Sequence, residues 1–178
     1  MNRKKKILRN IIIIALVYTL GLKTRGLYLD PIKAYRASER SDHYGPSEIV
    51  HIEDFLGGKY ILGKYDKWFS CNTVKRYLFG LWTFGSHAAG ELNKLKEPIS
   101  YTWSGNDKGY KLYGIVNDDR ITKIELILDD GQVLTQEELY EDMFLFTWPV
   151  DEGGENFYDI IRGLSKDGKP LYEDVRPR

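Results

Sequence analysis

The chain has a single cysteine, Cys71, among its 178 residues, and only three histidines, His43, His51 and His87. One thiol makes no internal disulfide, so the fold has to stand on its apolar core. A zinc site needs three or four ligands at fixed separation, and these four residues do not spell one. Glycine-rich phosphate loops are missing as well, since Gly80, Gly85 and Gly90 lack the strand-to-helix context such a loop requires. No segment is long enough for crossover helices, which excludes a parallel βαβ sheet. No uncharged apolar run reaches the ~20 residues that a helix needs to cross hydrocarbon. The run over residues 11–22 has 12.

That run is nevertheless the strongest local signal. Arg3, Lys4, Lys5, Lys6 and Arg9 precede it, Ile11 to Ile14 open it, and Lys23 and Arg25 close it. The pattern fits a signal peptide or a short anchor rather than a core strand. Arg9 and Lys23 can snorkel outward and stretch the usable length. Thr19-Leu20-Gly21 has the small residues of a cleavage site, but Lys23 and Arg25 follow closely and make it a poor one, and no cysteine follows closely enough for lipidation. Residues 1–25 are therefore expected to be a signal anchor, with a cleaved signal as the alternative. The larger positive cluster lies before the run, so a single-pass protein with its C-terminal domain outside the cell membrane is expected, or a secreted one if the segment is removed.

The net charge of zero conceals an asymmetry. Seven of the 26 basic residues fall in residues 1–25, which hold no acid, leaving 19 bases against 26 acids in the rest, a formal −7. A body of that sign does not bind nucleic acid without a local basic patch, and none is written here.

Residues 26–46 read as a stalk or linker, with scattered charges, Pro31 and a Gly45-Pro46 breaker. From residue 47 to 178 the signal is short alternating strands separated by turn chemistry. Residues 48–55, 59–65 and 68–77 alternate, and residues 78–84 form a further apolar run. Residues 99–104 and 110–116 flank a five-residue hairpin loop. Asp130-Gly131 and Lys166-Asp167-Gly168 mark two more reversals. Residues 88–95 have loop or short-helix character, and Thr135-Gln136-Glu137-Glu138 matches a capping box that predicts a helix of two turns at most. The predicted fold is mainly β: an antiparallel β-sandwich or partly closed barrel with one or two short helices, after an N-terminal hydrophobic helix. Trp68, Phe79, Trp82, Phe84, Trp103, Phe144, Phe146 and Trp148 are the predicted aromatic core.

Residues 114–173 run through GIV, ITKIELILDDG, FLFTW and IIRGLSKDGKPLYE. This succession resembles Ig-like sandwich units on bacterial surface proteins. With GKYDKWFSCNTVKR and LFGLWTFG upstream, residues 47–173 as a whole resemble uncharacterised membrane-anchored or secreted proteins of spore-forming Gram-positive bacteria. The resemblance implies fold and location, and carries over no functional residue.

Candidate chemistry is sparse. His51 and Glu53 share a strand face, with Asp54 on the other. Cys71 would need a basic partner such as His51 or His87 to act as a nucleophile, and a buried structural thiol is the simpler reading. Asp118-Asp119, Asp129-Asp130 and Asp151-Glu152 lack the alternation of a calcium loop, and turn chemistry explains the first two. No catalytic residue, metal or cofactor is assigned. Trp68, Trp82 and Trp103 are the candidate ligand-binding residues, able to line a groove that stacks wall sugars or peptides. The expected function is a non-catalytic interaction or binding module of the bacterial cell envelope, in contact with the membrane through residues 7–22 and with another envelope protein or wall polymer. The alternatives are an envelope hydrolase built around His51, Cys71 or the acids, and an inhibitor or immunity-type protein whose acidic body covers a basic partner.

Overall fold

The structure, a computed structural model, describes residues 3–24, 26–55, 57–85, 90–106, 109–150 and 157–177. Two helices come first, α1 (Arg3–Thr24) and α2 (Pro31–Ser41). Twelve strands follow: β1 (Glu48–Phe55), β2 (Gly58–Tyr65), β3 (Trp68–Arg76), β4 (Trp82–Phe84), β5 (Glu91–Leu92) and β6 (Ile99–Asn106). The last six are β7 (Gly109–Val116), β8 (Lys123–Leu128), β9 (Val133–Gln136), β10 (Met143–Trp148), β11 (Tyr158–Leu164) and β12 (Pro170–Val175). The described residues are mainly β, in antiparallel sheets with few helical residues outside α1 and α2, and no closed barrel forms among them.

The chain divides into two compact units. The first holds Met1–Pro46, Ile52–Ile61 and Asn72–Ala89; the second holds Ser47–His51, Leu62–Cys71 and Gly90–Arg178. Strands β1, β2 and β3 contribute residues to both, in a sheet of order β1-β2-β3-β4 with β5 added on β3.

In the first unit nine apolar side chains of α1 are exposed to solvent. Ile7, Leu8, Ile11 to Ile14, Leu16, Val17 and Tyr18 are all at least 50 % exposed. Among the described residues, no helix is long and apolar enough to cross a membrane. The stretch expected to be a stalk contains α2 instead. Asp30 caps it by accepting from the Ile32 amide at 2.7 Å, and Pro31 occupies the first turn, where its missing N–H costs nothing. Ala34, Tyr35, Ala37, Ser38 and Glu39 are buried, and α2 packs on β4. The buried face is made of small residues, one tyrosine and a glutamate that accepts from Arg36 at 2.8 Å, so it carries no apolar stripe that periodicity could find.

The second unit contains a sandwich of two open sheets. One has the order β10-β7-β6 and the other β12-β11-β8-β9. Alternation explains it. On β8, Ile124, Leu126 and Leu128 are buried and the intervening residues are not. From β10, Phe144, Phe146 and Trp148 turn into the same core, where they meet Ile99, Leu112, Tyr158 and Ile161. Each such side chain contributes about 1.5–3 kcal/mol by leaving water.

Several local expectations shift. The capping-box segment opens no helix: Thr135 and Gln136 end β9, Thr135 pairing with Glu125 in the β8–β9 ladder and Gln136 accepting the Leu145 amide at 3.0 Å. The ladder gives Thr135 a backbone pairing that outweighs a lone cap. The run over 78–84 is a strand only over β4, because Leu78–Gly80 form a 3-10 turn. Phe79 there is 97 % exposed and Trp68 36 % exposed, so neither is core. Strands β6 and β7 extend beyond the expected hairpin ends, to Asn106 and from Gly109. Residues 86–89, 107–108 and 151–156, which include His87 and the Asp151-Glu152 pair, lie outside the described residues.

Gly114 sits mid-β7, opposite Tyr101 on β6 and Phe144 on β10. A Cβ there would meet the Ser100 carbonyl oxygen at 2.4 Å and the Phe144 ring at 2.6 Å. The absent side chain lets the ring lie on the backbone. Gly114→Ala is expected to cost about 2–3 kcal/mol. Lys166→Ala, at an exposed turn, should stay within about 0.5 kcal/mol. Urea midpoints measure both, and an unshifted midpoint for Gly114→Ala would refute this packing.

Candidate functional site

The sandwich is open where β6, the edge of one sheet, meets β12, the edge of the other. There the Tyr101 hydroxyl donates to Asp174 Oδ2 at 2.7 Å, across 73 residues of sequence. Period two places Tyr172 beside Asp174 on β12, and Tyr101 and Trp103 on the core-facing side of β6. A cleft of about 340 Å³ opens at this seam. Phe69, Leu92, Tyr101, Trp103, Tyr158 and Tyr172 supply its apolar and aromatic walls. Glu91, Glu97, Asp174, Lys94, Ser100 and Thr102 supply its polar groups. The volume lies in the range of small-ligand sites, and the acids outnumber the single lysine.

The walls are fixed. Trp103 packs edge-on against Phe157 (ring centroids 5.7 Å apart) and Tyr158 (6.3 Å). The Arg176 guanidinium lies over the indole at 4.8 Å and over Phe157 at 4.1 Å, which clamps the indole from the C-terminal side. The rim over residues 94–98 is tied to the body by Asn117. Its side-chain amide donates to the Glu97 carbonyl at 2.9 Å and its backbone amide to that of Pro98 at 2.8 Å. The Lys94 amide donates to Ser100 Oγ at 2.9 Å. Lys94 and Glu97 pair at 3.3 Å on this rim.

Burial, with the Asp174 and Tyr158 hydrogen bonds adding to it, pushes the Tyr101 hydroxyl well above the usual tyrosine range. Burial also raises Tyr172, to about 12, with the charges of Asp174 and then Glu97 as further causes. Both phenols stay neutral at neutral pH, and Tyr101, whose one proton is given to Asp174, can only accept from a ligand. The arrangement offers flat aromatic walls and directed hydrogen-bond partners to a polar ligand.

Of the three candidate tryptophans, Trp103 lines the cleft. Trp68 opposes Leu92 in the β3–β5 ladder and is not among the lining residues. Trp82 belongs to the first unit, where Lys59 and Arg76 lie over its ring at 5.9 and 5.7 Å. Among the described residues, the candidates of the hydrolase alternative do not converge at the cleft. His51 stacks on Tyr140 at 3.5 Å, Cys71 is buried, and neither lines the cleft. Among the described residues, no group of three His, Cys, Asp or Glu could hold a metal ion. Asp118 accepts two side-chain hydrogen bonds from Arg120, which hold its carboxyl at about 2, and Asp130 accepts the Gln132 amide at 2.7 Å. These are the turn roles their sequence context implied. Tyr101, Tyr172 and Asp174 escaped the sequence reading because only the sheet-to-sheet closure brings them together. Comparison of the chain with family models, curated proteins and solved structures finds no match.

A phenol whose folded pKa is raised favours the folded state while it stays protonated. Stability is therefore whole below pH 10 and falls as pH rises from 10 through about 12 for Tyr172. Tyrosinate absorbance of the folded protein should show a fraction that ionises only near pH 12, and Asp174→Ala should move part of it toward pH 10. Ionisation of every tyrosine in one step at pH 10 would contradict the site described.

Proposed function

We propose that this chain is a non-catalytic binding module of the bacterial cell envelope, held at the membrane by residues 7–22 with its β-rich body outside. We propose further that the β6–β12 cleft takes a segment of wall polymer. The observation that carries this reading is the convergence of Tyr101, Trp103, Tyr158 and Tyr172 with Asp174 and Glu97 in one cleft. A sugar presents flat C–H faces and a ring of hydroxyls. Aromatic walls take the faces, and fixed carboxylates and phenols take the hydroxyls.

Location rests on α1. Its 22 residues rise about 33 Å against ~30 Å of hydrocarbon, a length that counts Arg3 to Lys6, Arg9 and Lys23. The uncharged part is shorter, so flanking cations reaching to the headgroups and local thinning of the bilayer complete the span. Lys4, Lys5 and Lys6 before it keep the N-terminus inside.

The Ig-like reading has support in strand order. If β6 to β12 are lettered A to G, the neighbours are A-B-E in one sheet and C-F-G in the other. Constant-type Ig domains pair these strands in the same way. The fourth strand differs, since β9 pairs with β8 rather than with β10.

The test is a titration of the full chain in detergent micelles with soluble wall-glycan fragments, read by tryptophan fluorescence. Saturable binding is expected. Asp174→Ala and Tyr172→Phe should each weaken it about 10-fold, the worth of a hydrogen bond involving a charged group. Binding that neither substitution changes would place the ligand elsewhere, and no binding would end the reading.

A further inference from the structure

The first unit displays a second apolar feature, on a strained loop. Six consecutive residues, Lys75 to Gly80, are exposed: two cations, then Tyr77, Leu78 and Phe79, then glycine. Phe79 has φ 58° and Gly80 φ 76°, so the chain reverses through two left-handed residues in succession. The reversal is closed by the Tyr77 amide donating to the Leu81 carbonyl at 2.7 Å and the Leu81 amide to Leu78 at 3.3 Å. A bulky aromatic rarely accepts that conformation. Here it puts the Phe79 ring into solvent almost completely, at 97 % exposure. A turn needing only to reverse the chain would carry asparagine or glycine at this position.

The position of this tip relative to α1 is limited by covalent reach. The Tyr28 amide donates to the Trp82 carbonyl at 2.8 Å, and the Trp82 amide to the Tyr28 carbonyl at 2.7 Å. Tyr28 is four residues beyond Thr24, where α1 ends, a span of at most about 14 Å of chain. Phe79 is three residues from Trp82, at most about 11 Å. Leu29, next to Tyr28, is 71 % exposed. The point where the chain leaves α1 and the aromatic tip are thus tethered to one pair of hydrogen-bonded residues.

We infer that the Tyr77–Phe79 tip inserts into the outer membrane–water interface beside the exit of α1, with Lys75 and Arg76 against anionic lipid headgroups. The inference rests on the proposed role of α1 as anchor. The headgroup layer is about 6 Å deep on each face, and the two chain spans with the Tyr28–Trp82 pair cap the separation of tip and helix exit at about 30 Å. Two exposed cations followed by three exposed apolar residues match the polarity of that layer, which takes aromatic rings at headgroup level and attracts basic residues. Insertion here gives the body a second attachment and limits its rotation about the anchor.

The test places an environment-sensitive fluorophore on single introduced cysteines of the full chain, since buried Cys71 does not compete for label. The sites are Phe79→Cys, Leu78→Cys as a second tip position free of the left-handed strain, and Ile14→Cys within α1. The protein is reconstituted in phosphatidylcholine vesicles with about a quarter phosphatidylglycerol, with and without lipids brominated near the headgroup end of the acyl chains. Quenching by at least about twofold at a tip position and at residue 14 is expected, as for reporters about 5–10 Å into the interface or deeper. Quenching at residue 14 with none at 78 or 79 overturns the inference and leaves the anchor standing. No quenching at residue 14 removes the anchor reading and the inference with it.

Discussion

Apolar surface that the chain leaves in water is the constraint from which this account follows. Nine large apolar side chains of α1 are at least half exposed, all around the helix. Covering one such side chain is worth about 1.5–3 kcal/mol. An exposed apolar surface of that extent marks a contact with a membrane or with another protein. A bilayer is that contact in the proposed reading, and the basic residues before the run give the orientation. The acidic excess of the remaining chain is compatible with a body outside an anionic surface.

The second unit solves a different problem. Two sheets of three and four strands bury their alternating apolar faces against each other, and each still has edges. Among the described residues, the β6–β12 seam is tied by side chains, the Tyr101 hydroxyl bonding Asp174 and Tyr158, rather than by a backbone ladder. A ladder would have closed the seam and filled it. The side-chain tie leaves a cleft, and the clamp of Arg176 on Trp103 and Phe157 with the Asn117 bonds to the rim keeps its walls in place. Rigid walls lower the ordering cost of binding, the usual requirement for a small polar ligand.

How much of this was legible in the sequence depended on whether the signal was local. Strand β10 and the buried face of β8 follow from alternation alone, and the reversals at Gly131 and Gly168 from turn chemistry, both glycines having positive φ. Helix α2 was not legible, because its buried face reads as small and polar residues. The Thr135–Glu138 box was misleading: the motif is real, but pairing with β8 overrides it. Phe79 was expected in the core on hydrophobicity, and only the backbone conformation reveals that it points outward. At the cleft, Trp103 was legible as a candidate aromatic. Tyr101, Tyr172 and Asp174 were not, because strands distant in sequence supply them.

The central claim is that α1 holds the body outside the membrane, and topology mapping tests it most directly. A cysteine at exposed position 166, on the β11–β12 turn, would be treated with a membrane-impermeant maleimide on intact cell-wall-stripped cells, followed by alkaline extraction of the membranes. The account predicts labelling of the intact cells and retention of the labelled full-length chain in the extracted membranes. Labelling only after lysis, with the chain released into the soluble fraction, would contradict it.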